Sequence, residues 1–162
     1  MGRILGVDPG SRVTGYGIID EVSFNKINYV TSGCIKLPKC GLPQRLKIIF
    51  EQLSDIVKRY QPDEFSIETV FVHKNVDSAL KLGQARGAAI CAGVQYDLPV
   101  AEYTPREIKK SIVGNGNADK QQVQYMVKVL LNQKQEMLLD ESDALAIALC
   151  HANTSRLSAK LN

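Results

Sequence analysis

No run of hydrophobic residues in this sequence approaches the ~18 to 20 that a membrane-spanning helix needs. The opening, Met1-Gly2-Arg3-Ile4-Leu5-Gly6-Val7, meets Asp8 before an apolar signal core could form, so a cytoplasmic protein without membrane association is expected. Histidine is scarce, with 2 in the chain. The four cysteines, Cys34, Cys40, Cys91 and Cys150, include no pair at the short spacing of a zinc knuckle. Free and mostly buried thiols are therefore expected, not a zinc site or a disulfide framework. Internal repeats, linkers and low-complexity tracts are missing too.

The 162 residues are 44% hydrophobic and 23% charged, which excludes a disordered, collagen-like or coiled-coil chain. A chain of this size buries roughly 68 to 70% of its unfolded surface and needs no covalent or metal staple. One domain over residues 1–162 is expected. The net charge of +3 identifies no partner by itself, but its distribution is uneven. Between Tyr103 and Gln135 the bases Arg106, Lys109, Lys110, Lys120, Lys128 and Lys134 face only Glu107 and Asp119. Glu136, Asp140, Glu141 and Asp143 follow with no base among them. A basic stretch beside a carboxylate cluster suits a metal-dependent enzyme acting on a phosphate polymer.

Apolar runs at Ile4–Val7 and Tyr16–Ile19, with the turn Asp8-Pro9-Gly10-Ser11 between them, read as two strands, and Ile27–Leu37 as a third. Leu46, Ile49, Phe50, Leu53, Ile56, Val57 and Tyr60 recur at helical spacing, with Pro43 in the first turn and Pro62 beyond the end. Phe65–Glu68 and Leu98–Tyr103 read as strands around an Ala- and Gly-rich helix over Asp77–Val94, whose small residues allow close backbone approach. A helix carrying Val123, Met126, Val127, Leu130 and Leu131 follows the Gly114-Asn115-Gly116-Asn117 turn, with Asn117 as a candidate N-cap. Another runs from Asp140 to about Ser155. The order βββ-α-β-α-β-α-α places the chain in the α/β class.

Two acids end apolar strands. Asp8 closes the first, and Glu68 closes Phe65-Ser66-Ile67 on the same strand face as Ser66. A charge forced into partial burial needs a cation or a hydrogen-bonding partner, although an acid before a turn can also cap backbone amides. Asp140 and Asp143 lie three apart at the start of the last helix, hence about one turn apart on one face, where the helix dipole also favours them. Four converging carboxylates repel, and the ordinary remedy is hard divalent cations, Mg²⁺ or Mn²⁺. Two such ions ~4 Å apart can activate water and stabilise a leaving oxygen in phosphodiester cleavage.

The segments Ile4–Gly17, Ile67-Glu68-Thr69-Val70-Phe71, Ser78-Ala79-Leu80-Lys81-Leu82-Gly83-Gln84-Ala85-Arg86-Gly87 and Asp140-Glu141-Ser142-Asp143-Ala144-Leu145-Ala146 resemble the RuvC family of Holliday-junction endonucleases. The resemblance runs in order along nearly the whole chain, and the Ser78–Gly87 block is its most specific part. It implies a ribonuclease H-like fold, with a five-stranded mixed sheet flanked by helices. It also implies a homodimer that cuts two strands of a four-way DNA junction symmetrically with two Mg²⁺ per subunit, acting with the branch-migration proteins RuvA and RuvB in recombination and repair. Asp8, Glu68, Asp140 and Asp143 match the family's metal-binding acids; some relatives carry His at the Asp140 position. Lys109 and Lys120 match basic residues associated with DNA, Phe71 matches an aromatic that stacks on a junction base, and the helix around Ala79–Ala92 resembles the family's dimer contact.

Beside Phe71, Lys74 is placed to reach a phosphate, while His73 reads as a loop residue and His151 as a packed helix residue. Lys120 in a helix's first turn opposes the dipole, an unfavourable placement that an outside phosphate would compensate. Two other classes stay open on residues alone. Asp8-x-Gly10-Ser11 also resembles the first phosphate loop of sugar-kinase and actin-like proteins, and a non-catalytic nucleic-acid-binding scaffold fits the charge pattern.

Overall fold

The computed structural model describes residues 1–69 and 75–161. Strands β1 (Arg3–Asp8), β2 (Val13–Ser23) and β3 (Lys26–Lys36) form an antiparallel meander. Helix α1 (Leu42–Tyr60) leads to β4 (Glu64–Glu68), and α2 (Val76–Val94) leads to β5 (Val100–Tyr103). Three helices complete the described chain: α3 (Pro105–Val113), α4 (Lys120–Leu130) and α5 (Leu139–Leu161). The sheet order is β3-β2-β1-β4-β5, with β4 parallel to β1 and β5 parallel to β4. This is the five-stranded mixed sheet flanked by helices that the family resemblance implies.

Strand β1 is central, and its two faces serve different layers. Leu5 and Val7 pack with Phe65 and Ile67 against Ile49, Leu53 and Val57 of α1 and Ala85, Ala89 and Ala92 of α2. Ile4 belongs to the opposite layer, built from Ile108 and Ile112 of α3, Val123 and Val127 of α4, and the run Leu145–Cys150 of α5. An apolar strand buried on both faces is the normal content of the parallel part of a sheet. Parallel neighbours require long crossovers, and α1 supplies the one into β4. It starts with Pro43 in its first turn and ends at Gln61, whose φ of 47° is left-handed, just before Pro62.

Helix α5 is buried almost all round from Ser142 to Ala152, and its small alanines let it lie low on the sheet. His151 fixes it further along. Its Nδ1 accepts from the Tyr103 hydroxyl at 2.7 Å, and its Nε2 donates to Glu64, so one side chain of α5 joins β5 to β4. Near the far end, Arg156 pairs with Glu21 of β2.

Four details differ from the sequence reading. The nine-residue α3 is additional to the expected order; Thr104 and Glu107 close a capping box around its start, with Pro105 as its first residue. Helix α4 is capped by Asp119, whose side chain accepts from the Gln122 amide at 2.8 Å, and not by Asn117. All four cysteines are free, but only Cys150 is buried, while Cys91 is exposed. Helix α5 continues past Ser155 to Leu161, because Arg156 still has a partner on the sheet.

Candidate active site

The parallel register of β1 and β4 pairs Gly6 with Ser66 and Val7 with Ile67. One residue further, both strands end in an acid, so Asp8 and Glu68 come side by side at one edge of the sheet. Alternation turns both toward the layer that holds α5. There the first turn of α5 brings Asp140 and Asp143. One carboxylate oxygen from each of Asp8, Asp140 and Asp143 lies within 4.8 Å of the other two. Glu68 stands outside that triplet but lines the same cleft, of about 480 Å³, together with Lys109 of α3 and Lys120 of α4.

The electrostatics follow from this crowding. Burial, then the charges of Asp143, Glu68 and Asp140, push the Asp8 carboxyl up to about 8, against a smaller opposing pull from Lys120. Burial also raises Glu68, with Asp143 adding to the rise while Lys120 and Lys109 draw it down. Asp143 is raised by burial and Asp140 and lowered by Lys120. Acids held above their ordinary range in a cleft, without a neutralising side chain of equal strength, make a site prepared for added positive charge. The oxygen-only donor set fits a hard divalent cation.

Local structure accounts for each position. Glu68 is held through its backbone: Arg86 of α2 donates from Nε to the Glu68 carbonyl at 3.2 Å and pairs with Glu102 of β5. The next residue, Thr69, donates its amide to the Tyr103 carbonyl at 2.8 Å, keeping β4 and β5 together to the rim. Lys109 is presented by the helix that the sequence reading omits, and Lys120 is the first residue of α4. Arg86 sits inside the Ser78–Gly87 block, so that motif did carry a signal for it. Phe71, His73 and Lys74 lie outside the described residues.

An acid-lined edge of this mixed sheet, with a helix closing over it, defines a ribonuclease H-like nuclease. The chain belongs to the crossover junction endodeoxyribonuclease RuvC family, whose model matches residues 4–151. It is 57% identical to the protein of that name from Methylococcus capsulatus over 93% of this chain and 90% of that one. The identity to the one from Shewanella sediminis is 54%, over 96% and 90%. Among solved structures it superposes on T. thermophilus RuvC in complex with a Holliday junction substrate, with TM-score 0.91 and 29% identity, covering 98% of this chain and 97% of that one. The yeast mitochondrial Holliday junction resolvase Ydc2, at 14% identity and TM-score 0.67 over 96% and 82%, shares the fold. Family membership disposes of the kinase-like and scaffold alternatives: this is an endonuclease.

Proposed function

We propose that residues 1–162 form one nuclease domain that works as a homodimer. It would resolve four-way DNA junctions by symmetric cuts in two strands, in recombination and repair, with two Mg²⁺ per subunit for which Mn²⁺ can substitute. The observation that carries this reading is the convergence of Asp8, Asp140 and Asp143 within 4.8 Å at the head of a cleft that also holds Glu68 and two lysines.

The chemistry that divalent cations supply when bound is a water more readily deprotonated to the nucleophile that attacks phosphorus, and positive charge for the departing oxygen. Asp8, Asp140 and Asp143, with Glu68 in the same cleft, would hold these ions. Lys109 and Lys120 face the same space and would engage the phosphates flanking the cut, fixing the strand in register before cleavage. Phe71 and Lys74 follow Glu68 in the chain, and their assigned roles, stacking and phosphate contact, rest on the sequence.

The second copy is supported by α2. Its buried side is alanine, but Val76 and Leu80 are exposed on the other side, and a side chain at Gly83 or Gly87 would meet nothing within 4 Å. The close approach that these glycines allow is therefore made to no described part of the same chain, and a second α2 is its natural partner. None of the described helices is long and apolar enough to cross a membrane. A bacterial cytoplasmic location and cooperation with RuvA and RuvB complete the reading.

The test is cleavage of a synthetic four-way junction with Mg²⁺, mapped by strand and position. Paired nicks at symmetric positions support the reading. Equal cutting of linear duplex, or cutting without a divalent cation, contradicts it.

A further inference from the structure

Asp140 and Asp143 can serve Asp8 only if α5 stands at one height and one rotation over the sheet. Two features fix both. The first is a seat of glycines beneath the helix. Gly6 pairs with Gly17, and Gly15 pairs with Asp8 itself, all on the two strands under α5. A Cβ on Gly15 would stand 2.0 Å from the Asp140 carbonyl oxygen and 2.5 Å from its carbon. One on Gly6 would stand 2.2 Å from the Ala144 carbonyl oxygen and 2.8 Å from the Ala148 nitrogen. These are backbone atoms of a helix, so no rotamer change relieves the overlap. To reach an ordinary 3.4 Å from a Gly15 side chain, the start of α5 would retreat by about 1.4 Å (3.4 − 2.0).

The second feature acts from the side. Glu141, between the two aspartates, is not among the three clustered carboxylates. One of its oxygens accepts from the Leu138 amide at 3.2 Å, closing the orphan backbone at the helix start. The other accepts from the Ser32 hydroxyl on β3. A carboxylate only accepts, so Ser32 donates to it, and the Tyr29 hydroxyl, at 2.9 Å, donates in turn to Ser32. The chain Tyr29–Ser32–Glu141 thus pulls the first turn of α5 toward the edge of the sheet.

We propose that Gly15 and Glu141 are positioning residues that place the Asp140 and Asp143 carboxylates against Asp8, Gly15 by setting the height of α5 and Glu141, through Ser32, by setting its rotation. The inference rests on the metal-binding reading above. Donor groups of a metal site tolerate misplacement of only ~0.5 Å. A shift of the helix start therefore acts on metal affinity more than on the fold.

The experiment is Mn²⁺ titration calorimetry on the full-length protein, with a thermal melt and the Mn²⁺ dependence of junction cleavage for each variant. Gly15→Ala and Glu141→Ala are expected to weaken Mn²⁺ binding at least tenfold and to raise the Mn²⁺ concentration for half-maximal cleavage in step. Ser32→Ala should do the same several-fold, and Glu141→Gln, which keeps one acceptor oxygen, should recover most of the loss. Glu51→Ala, exposed on α1 and away from α5, should stay within twofold of wild type.

Melting temperatures that fall while Mn²⁺ affinity stays within twofold for Ser32→Ala and Glu141→Ala overturn the proposal. So does a loss confined to Glu141→Ala with Ser32→Ala and Gly15→Ala unchanged, which would make Glu141 a ligand. Should Gly15→Ala not fold, the Ser32 and Glu141 variants decide. Asp143→Asn separates the two layers of argument. If it binds Mn²⁺ as wild type does, the metal-binding reading fails; if it does not, while the positioning variants do, only the positioning falls.

Discussion

The carboxylates of Asp8 and Asp143, on the first strand and the last helix, approach within 4.8 Å with no cationic side chain between them strong enough to offset their repulsion. The stability of the metal-free protein consequently falls as pH rises. Asp8 titrates near 3.8 when unfolded and near 8 when folded, so between those values the folded state binds more protons than the unfolded one. The slope is at most about 1.4 kcal/mol per pH unit for one proton. Melting curves in a chelator should move to lower temperature from pH 5 to pH 8, and Mn²⁺ should restore most of the difference at pH 8. Asp8→Asn should melt higher than wild type without metal at pH 8, with a shallower pH dependence, and should not cut. A chelated melting temperature independent of pH contradicts the crowding described here.

Glu68→Gln keeps the shape of the side chain and loses its charge. Junction cleavage should drop more than tenfold while binding to the junction, read by gel shift in Ca²⁺, stays close to wild type. Asp143→Asn should behave alike. Turnover above a tenth of wild type in either variant removes that acid from the metal site.

Lys120→Ala has two expected effects. If Lys120 contacts one duplex phosphate, the slope of log K against log salt should shrink by about 0.9. Lys120 also lowers Asp8, Glu68 and Asp143 together, so its loss should shift the pH profile of Mn²⁺ binding upward. An unchanged salt slope with a shifted pH profile would assign Lys120 to the acids alone.

For Phe71, stacking and packing forecast opposite outcomes. A base-stacking Phe71, replaced by Ala, loses ~1 to 3 kcal/mol of productive binding with little change in melting temperature. A core Phe71 loses ~3 to 5 kcal/mol of stability instead. A melt beside a cleavage assay separates them, and the stacking role predicts the first.

The acids were legible because Asp8 and Glu68 each end an apolar strand with a charge, and Asp140 and Asp143 repeat at helical spacing. Their convergence was not legible from spacing. It depends on β4 inserting beside β1 in parallel, a choice made by the crossover helix and the shared core. Helix α3 escaped because its nine residues hold few apolar positions, Ile108 and Ile112 being the buried ones, and Thr104-Pro105-Arg106-Glu107 was its only strong signal. Asn117 lost the cap of α4 to Asp119, which has Gln122 at the spacing a capping box requires. Glu141 stood in the acid cluster and in the last motif, but its contact to Ser32 had no signal, since that partner lies on a strand more than a hundred residues earlier.

The site joins Asp8, among the earliest residues made, to Asp140 and Asp143, near the end of synthesis, and α5 must seat on β1 and β2 before the three meet. During translation the chain is thus a DNA-cutting tool with its last part withheld. On the metal-binding role proposed for these acids, a chain released before Leu139 carries Asp8 and Glu68 but neither aspartate of α5 and is expected not to cut DNA.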